Sequence, residues 1–276
     1  MPKNQIVMLA HTYEERRVTY PCFVQPKLNG IRAYYRKGNL YSRDRKLLAA
    51  PTHITEELRK IGFPDDVIFD GELYKHSWPL QRINGAVGVN REMPTDDTRQ
   101  ISFCIFDLIQ EQAPFAQRMA YLLSIVRPRL PASCGIVEPI LCHDAQHATY
   151  LYEQFMKMGF EGMMYRIGGC LYRKGMRSYS LLKRKDWKDD WFPIVGKQEG
   201  KATELGSRLV GTLGSLICQL PDGRTFDVGS GFTDSERDRI WKNELVINQL
   251  HVRYEMLSDD GIPLKPTAIE WKLTIE

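Results

Sequence analysis

Apolar and polar residues follow two different patterns along the chain, and the pattern changes near residue 187. Before that point, alternating or continuous apolar runs predict strands, at residues 20–24, 33–35, 40–43, 67–74, 101–109, 160–167 and 178–185. Apolar residues at helical spacing predict helices, at residues 52–61, 78–87, 115–126 and 145–158. Residues 1–19 show little periodicity, and we expect a short lead-in that packs on this domain. The mixture predicts an α+β fold.

Beyond residue 187, short apolar runs alternate with glycine-rich turns. They predict strands within residues 209–220, 225–228, 251–256 and 268–275, and one helix at 234–243. Several short strands with one helix favour an OB-fold barrel, although another small barrel would give the same pattern. We therefore predict two domains, at residues 1–187 and 188–276, joined near the charged segment 186–190.

Composition and charge exclude several classes of protein but select none. The chain has 276 residues, of which 43% are hydrophobic and 26% are charged, with a net charge of +4. These values are ordinary for a soluble globular protein and only compatible with a polyanionic partner. We find no apolar run of membrane-spanning length and no signal-peptide pattern. The six cysteines form no C-x-x-C pair or zinc pattern, so we expect a reducing, cytoplasmic setting.

The segment Gln25-Pro26-Lys27-Leu28-Asn29-Gly30-Ile31-Arg32 lies between two predicted strands. Its glycine lets the backbone turn or approach a ligand closely, so that Lys27 can point its amine into a cleft. A hairpin turn with a solvated lysine is the plainer interpretation. A lysine nucleophile must first lose its proton, and nearby cations favour the neutral amine. Lys183 and Lys185 are candidates for those cations, because residues two apart in a strand face the same side.

Four later segments accompany this one, at residues 69–74 (FDGELY), 103–108 (FCIFDL), 161–166 (EGMMYR) and 178–185 (SYSLLKRK). After the K-x-N-G segment, their order resembles the motif series of the covalent nucleotidyltransferases, which include ATP-dependent DNA ligases, RNA ligases and mRNA capping enzymes. Each motif is weak alone, but five in order are specific. Residues 172–185, and residues 220–232 in the second domain, look most like the DNA ligase branch.

The resemblance implies both a fold and an activity. The fold is a nucleotidyltransferase (adenylation) domain of antiparallel sheets and helices, followed by an all-β OB-fold domain. The activity is that of a minimal ATP-dependent DNA ligase of bacterial or bacteriophage type. Such an enzyme seals 5′-phosphate/3′-hydroxyl nicks through lysyl-AMP and DNA-adenylate. ATP, Mg²⁺ and nicked duplex DNA are then the expected ligands of a monomer, and the missing zinc pattern disfavours the NAD-dependent ligases.

The resemblance also assigns the nucleotide and metal contacts. Lys27 is expected to carry AMP, and Lys183 and Lys185 to bind the α-phosphate. Glu72 is expected on the ribose or the metal, and Glu161 on the metal, since Mg²⁺ takes few carboxylates besides phosphates and water. The other expected nucleotide contacts come from residues on three motifs, namely Gln25, Pro26, Arg32, Phe106 (stacked on adenine) and Arg166. Each has a plainer alternative: Phe106 could belong to the core, and the charged residues could form surface ion pairs.

Basic residues are the expected DNA contacts. By resemblance, Arg32 holds the nick 5′-phosphate, and Ser42 and Arg43 hold the strand that carries it. Further phosphate contacts are expected from basic residues in both domains: Arg173, Lys174 and Lys197. Such contacts bind the backbone without reading sequence.

Two positions depart from the pattern of DNA ligases. Asn29 stands where these enzymes usually have Asp, which raises the alternative of an RNA ligase or RNA-tolerant ligase. Lys265 and Lys272 stand near the C-terminus, where the family usually has arginines that contact pyrophosphate. Outside the ligases, a capping guanylyltransferase or a catalytically silent nucleic-acid-binding protein remain as alternatives. One observation argues against the silent protein, namely the joint retention of Lys27, Glu72, Glu161, Lys183 and Lys185.

Overall fold

Two five-stranded sheets form the framework of the N-terminal part of the chain, and a third forms that of the C-terminal part. The computed structural model describes residues 5–201, 209–258 and 260–273. The chain divides into two compact units, Met1–Lys185 and Asp186–Glu276. None of the helices in these described ranges is long and apolar enough to cross a bilayer.

The described residues of the first unit include ten strands: β1 (Leu9–Thr12), β2 (Cys22–Lys27), β3 (Ile31–Arg36), β4 (Asn39–Ser42), β5 (Phe69–Tyr74), β6 (Ser102–Leu108), β7 (Cys134–Ile136), β8 (Ile140–Cys142), β9 (Gly162–Arg166) and β10 (Arg177–Arg184). One sheet has the order β1-β10-β9-β2-β8 and the other β4-β3-β5-β6-β7. Pairing is antiparallel except between β1 and β10 and between β6 and β7.

Helices cover the outer faces of these sheets: α1 (Thr52–Ile61), α2 (Leu80–Val87), α3 (Asp96–Arg99), α4 (Phe115–Tyr121) and α5 (Ala145–Lys157). The sequence sets their ends. The Asp144 carboxylate accepts from the His147 amide (2.8 Å) and so caps the start of α5. Gly62 ends α1 in the left-handed conformation (φ 68°), which glycine adopts without steric cost.

A buried apolar layer joins the two sheets of the first unit. Tyr34 of β3 and Leu181 of β10 belong to the same cluster, together with Met8, Ile109 and Tyr172. A second cluster lies between the other face of the β4-β3-β5-β6-β7 sheet and the helices α1, α2 and α4. A third lies between the other face of the β1-β10-β9-β2-β8 sheet and α5. Both sheets are therefore fixed in one domain, and side chains from different sheets can meet.

The described residues of the second unit form β11 (Lys188–Glu199), β12 (Leu213–Gln219), β13 (Thr225–Val228), α6 (Asp234–Trp241), β14 (Ile247–Tyr254) and β15 (Thr267–Leu273). Its antiparallel sheet has the order β13-β12-β11-β14-β15. The Ala268 amide donates to the Ser230 carbonyl (2.9 Å), which brings the two sheet edges together beside a single apolar core. The Thr233–Glu236 capping box starts α6.

The predicted α+β class is confirmed, and the differences from the sequence pattern are local. Residues 9–12 form β1, although they gave no strand pattern, because a short, half-buried strand alternates weakly. The segment 186–190 is partly strand: β11 begins at Lys188, and its backbone pairs with β14 while its charged side chains face solvent. The predicted helix at 115–126 is α4 followed by a π-helical turn. Residues 274–275 of the last predicted strand lie outside the described ranges.

Candidate active site

Lys27 ends β2, where its amine meets a carboxylate from the neighbouring strand. The β2–β9 register sets Lys27 opposite Gly162, and the Glu161 amide donates to the Lys27 carbonyl (3.0 Å). The Lys27 ammonium forms an ion pair with the Glu161 carboxylate. Lys185, just beyond β10, lies 3.8 Å from the other oxygen of that carboxylate, and its side chain is 8% exposed. Two lysines therefore share one partly buried acid.

Lys183 lies within β10, next to β9, which begins one residue after Glu161. Met164 of β9 pairs with Lys183 on one side and with Gln25 of β2 on the other. On its outer side, Lys183 pairs with Thr12 of β1. The backbone thus aligns Lys183 with the K-x-N-G segment across three strands.

Glu72 approaches the same lysine from the second sheet. The Gly30 amide donates to Glu72 Oε1 (3.2 Å), and a Cβ at position 30 would lie 2.3 Å from the Leu73 carbonyl oxygen. Only glycine therefore allows this approach of the two backbones. Burial raises the pKa of Glu72 to about 7, although the positive charges of Lys27 and Arg32 act in the opposite direction. Glu72 is thus a carboxyl whose charge changes near neutral pH.

Arg32 of β3 is held by a buried aspartate. Its guanidinium donates twice to Asp70 of β5 (3.0 and 2.7 Å), and Asp70 is 0% exposed. The guanidinium carbon also lies 5.3 Å from the centre of the Phe106 ring. Phe106 is half-buried on β6, while its neighbours Ile105 and Asp107 are fully buried on the opposite face. Alternation along β6 therefore leaves the Phe106 ring on a face that carries charged groups.

Gln25 and Arg166 form a buried layer beneath Phe106. Arg166 donates to Gln25 Oε1 (2.6 Å), and the Gln25 amide nitrogen donates to the carbonyls of Phe106 (3.3 Å) and Val137 (2.5 Å). Gln25 is 1% exposed, so its oxygen is already used inside the protein. That oxygen has a second lone pair, so a base contact through it would require access to a buried atom but not loss of the bond with Arg166. Pro26, half-buried in β2, pairs with Met163.

Arg118 belongs to this layer, and none of the five motifs contains it. Its guanidinium donates to both oxygens of Asp107 (2.6 and 2.9 Å), and Asp107 also accepts from Arg166 (2.7 Å). The signal that could have revealed Arg118 is helical spacing. It shares the buried face of α4 with Phe115 and Met119. An arginine on an apolar helix face needs buried polar partners, and a carboxylate is one such partner.

The predicted DNA contacts of the first unit are mostly exposed and lie on several elements. Arg43 is 55% exposed beside Asp44, and Lys174 is 39% exposed with an ion pair to Glu111 (2.9 Å). Arg173 is exposed as well. Ser42 differs, because it is buried and its hydroxyl accepts from the Lys46 amide (3.2 Å).

Asn29 is partly exposed in the short connection between β2 and β3. It lies two residues after Lys27 and directly before Gly30, whose amide donates to Glu72. The position is therefore within the same group of residues as Lys27 and Glu72.

Lys197 of the second unit has a structural role in this fold. Its ammonium donates to the carbonyls of Ile240 (2.9 Å) and Trp241 (2.8 Å) and to Asn243 Oδ1 (2.8 Å). These bonds cap the C-terminal end of α6 and use all three donors of the ammonium. Among the predicted C-terminal lysines, Lys265 donates to Glu255 (2.8 Å) and Lys272 to Gln249 (2.9 Å).

The charged groups around Lys27 suit a phosphate-bound Mg²⁺ and a nucleotide. Glu72 and Glu161 act electrostatically on each other and on Lys27, so both carboxylates lie in one site. No group of three or more His, Cys, Asp and Glu side chains that could hold a metal ion occurs in the part of the chain that the structure describes. Two carboxylates match the way Mg²⁺ binds, with phosphates and water as its other ligands. The half-buried Phe106 ring provides an aromatic surface within the same site.

Comparison with known protein families agrees with this arrangement. Residues 7–185 match the ATP dependent DNA ligase domain family, and residues 206–272 match the DNA ligase OB-like domain family. The first match covers more than half of the chain, and the expected OB-like fold of the second unit is confirmed.

Curated relatives of this chain are named as DNA ligases. A DNA ligase of African swine fever virus is 30% identical over 274 residues, which cover 90% of this chain and 63% of the viral protein. A DNA ligase of Haemophilus influenzae is 24% identical over 235 residues, covering 85% of this chain and 81% of the bacterial protein. The chain spans less than two thirds of the length of the viral relatives that it matches.

Solved structures share the fold. A structure from work on Lig E DNA ligases has a TM-score of 0.83 at 22% identity and covers 96% of this chain and 98% of its own. A Chlorella virus DNA ligase-adenylate has a TM-score of 0.56 at 23% identity, with 99% of both chains covered. With both family models matched in order along the chain, this protein belongs to the ATP-dependent DNA ligase family.

Proposed function

We propose that this protein is an ATP-dependent DNA ligase that seals 5′-phosphate/3′-hydroxyl nicks in duplex DNA. The observation that carries the proposal is the meeting of Lys27, Lys185, Glu161 and Glu72 in one site of a ligase-family domain. In the first step, the Lys27 amine attacks the α-phosphorus of ATP, and pyrophosphate leaves. This covalent route divides one difficult transfer into easier ones.

The residues around Lys27 have separate tasks in this step. An ion pair requires the charged ammonium, whereas attack requires the neutral amine, so the pair with Glu161 must open. Lys183 and Lys185 bind the α-phosphate and stabilise the charge that develops on it. Phe106 stacks on adenine, with Gln25, Pro26 and Arg166 supporting the base site. Glu72 binds the ribose, and with Glu161 it would hold Mg²⁺, which neutralises phosphate charge when bound.

In the later steps, AMP passes to the 5′-phosphate of the nick, and the 3′-hydroxyl then displaces it. Arg32 binds the 5′-phosphate, because its planar guanidinium suits a two-point contact. Ser42, Arg43, Arg173 and Lys174 contact the DNA backbone. Lys197 can join them only by releasing the end of α6.

The remaining expectations belong to the same proposal. Residues 1–187 form the adenylation domain and residues 188–276 the OB-fold domain of a monomeric enzyme. All six cysteines are free thiols, which is consistent with a reducing cytoplasm.

An RNA ligase or RNA-tolerant ligase is the second candidate, and Asn29 is the observation that favours it. An amide keeps hydrogen bonds to a ribose hydroxyl but lacks the negative charge of the aspartate usual in DNA ligases. The difference should affect discrimination at the nick more than transfer of AMP to Lys27.

A label-and-chase assay tests both candidates. Purified protein, first freed of bound AMP, is incubated with α-labelled ATP and magnesium, and then with a 5′-phosphorylated nick that has a DNA or RNA 3′-strand. We expect label on the protein that DNA nicks remove as they are sealed. Sealing of RNA-containing nicks alone would favour the second candidate, and the absence of label would contradict both.

A further inference from the structure

Tyr172 is a buried residue outside the five motifs, and its hydroxyl joins two separate segments. It lies between β9 and β10 and is 1% exposed. The hydroxyl accepts from the Met8 amide (2.8 Å) and donates to Asp70 Oδ2 (2.6 Å). Burial and the charge of Asp70 raise the pKa of Tyr172 well above its usual value, so the hydroxyl keeps its proton and remains a donor.

Asp70 connects this hydroxyl to Arg32. Its Oδ2 accepts from both Tyr172 and an Arg32 nitrogen (2.7 Å), and its Oδ1 accepts a second bond from Arg32 (3.0 Å). The plane of the carboxylate therefore sets the plane of the guanidinium. Because Asp70 is 0% exposed, water does not replace a lost donor.

We propose that Tyr172 is a positioning residue that orients Arg32 toward the 5′-phosphate of the nick by fixing the Asp70 carboxylate. This inference rests on the proposed function, because the phosphate contact of Arg32 is part of it. Without the hydroxyl, the Asp70 carboxylate loses one of its three donors and can rotate with Arg32. Loss of orientation weakens a two-point contact more than a single-point one.

The position of Tyr172 in the chain adds a second connection. Arg173 and Lys174, both exposed, follow it directly, and the Arg173 amide contacts the Met8 sulfur (3.5 Å). A DNA backbone bound at these two residues therefore lies one residue from the hydroxyl that orients Arg32. The structure thus links the outer phosphate contacts to the contact at the nick.

The test compares the affinities of nicks with a 5′-phosphate and a 5′-hydroxyl for the full protein and for the variant Tyr172→Phe. We expect the ratio of the two affinities, which measures the preference for the phosphate, to fall about tenfold in the variant, because the substitution removes a hydrogen bond to a charged group. Label transfer from ATP to Lys27 should fall less than this preference, because the contacts of Lys27 with Glu161 and of Glu161 with Lys185 do not involve Tyr172. Tyr165→Phe is the matched control, because Tyr165 is also fully buried in this unit but packs against Tyr13.

A double-mutant cycle separates positioning from general stability. Arg32→Ala should itself remove most of the preference for the phosphate, and Tyr172→Phe should then add nothing, since its effect acts through Arg32. Asp70→Asn, which replaces one acceptor oxygen by a donor, should reduce the preference in the same way if Tyr172→Phe does not fold.

Three outcomes overturn the inference. The first is an unchanged preference for the 5′-phosphate in both Tyr172→Phe and Asp70→Asn. The second is an effect of Tyr172→Phe on this preference that is the same with and without Arg32. The third is a loss of preference in Tyr165→Phe as large as that in Tyr172→Phe. In each case a parent protein that takes up label and seals nicks leaves the proposed function intact. A parent protein that does neither overturns the proposed function, and the inference with it.

Discussion

The ammonium of Lys27 is paired with the carboxylate of Glu161, and the backbones of the two residues are joined by a hydrogen bond of 3.0 Å. The proposed chemistry needs the Lys27 amine free to reach the nucleotide, so this pair must open first. Glu161 therefore holds the lysine in place before the nucleotide arrives, and ATP must compete with it for the ammonium.

Lys27→Arg should keep this ion pair and lose the chemistry. A guanidinium retains its proton at any working pH and cannot act as the nucleophile. We expect the variant to take up no label from α-labelled ATP. Its melting temperature should change no more than that of a variant with an ordinary surface substitution. Lys46→Arg is the control, because Lys46 is exposed and should label like the parent. Labelling of the Lys27→Arg protein would exclude Lys27 as the nucleophile.

Glu72→Gln should change how stability depends on pH. Burial raises the pKa of Glu72 from 4.5 to about 7, so the folded protein binds this proton more tightly than the unfolded chain. The contribution of Glu72 to stability is therefore complete below pH 4.5 and is lost as the pH rises toward about 7. Relative to the parent, the variant should gain about 1.4 kcal/mol per pH unit within that window.

Denaturant unfolding of both proteins at several pH values measures this difference. A constant difference between pH 4.5 and pH 7 would show that the Glu72 carboxyl is not perturbed. The same titration predicts that Mg²⁺ binds more strongly above this window, because the metal requires the ionised carboxylate.

Arg118→Met should destabilise the first unit strongly, by about 3–5 kcal/mol, because it removes one partner of a buried ion pair. Both side chains of the Arg118–Asp107 pair are almost fully buried. Arg99→Met, which breaks the exposed Arg99–Asp96 pair, should change stability by at most about 0.5 kcal/mol. Equal effects in urea unfolding would contradict the buried role of Arg118.

Gly30→Ala should damage both stability and labelling. The new Cβ would lie 2.3 Å from the Leu73 carbonyl oxygen and 2.9 Å from Glu72 Cγ, and overpacking of this kind costs about 1–3 kcal/mol. Gly85→Ala offers the opposite case, since Gly85 is exposed in α2 with no atom near its Cβ position. That variant should be up to about 1 kcal/mol more stable than the parent and label normally.

Lys174 and Lys197 should respond differently to alanine substitution. If Lys174 contacts a DNA phosphate, its removal should lower the slope of log affinity against log salt by about 0.9. Lys197→Ala should leave that slope unchanged and lower the stability of the second unit, because it uncaps α6. A change in slope for Lys197→Ala and none for Lys174→Ala would reverse these roles.

Much of the fold was predictable because its elements follow local patterns. The helix Thr52–Ile61 and the strand Thr225–Val228 agree with their predicted limits, since periodicity and turn residues mark both. β1 was not predictable, because its place beside β10 depends on a partner 168 residues away (Leu9 with Arg177). The three-residue strands β7 and β8 are too short for any periodic pattern.

The candidate site shows the same division. Motif order identified Lys27, Glu72 and Glu161, and the structure brings these residues together. The five motifs do not include Arg118 or Tyr172, because these residues bond to buried carboxylates that only the tertiary fold brings near them. Lys197 shows the opposite situation. The sequence offers it as a DNA contact, whereas in the fold its ammonium donates to the end of α6.

The hydrogen bond between the Glu161 amide and the Lys27 carbonyl has a kinetic consequence. Because neighbouring strands fix both backbones, the ion pair can open only by rotation of the two side chains. Side-chain rotation leaves the strands in place, whereas hinge motions of domains move whole elements and take microseconds to milliseconds. Freeing the amine of Lys27 is therefore a local event that needs no movement of one domain against another.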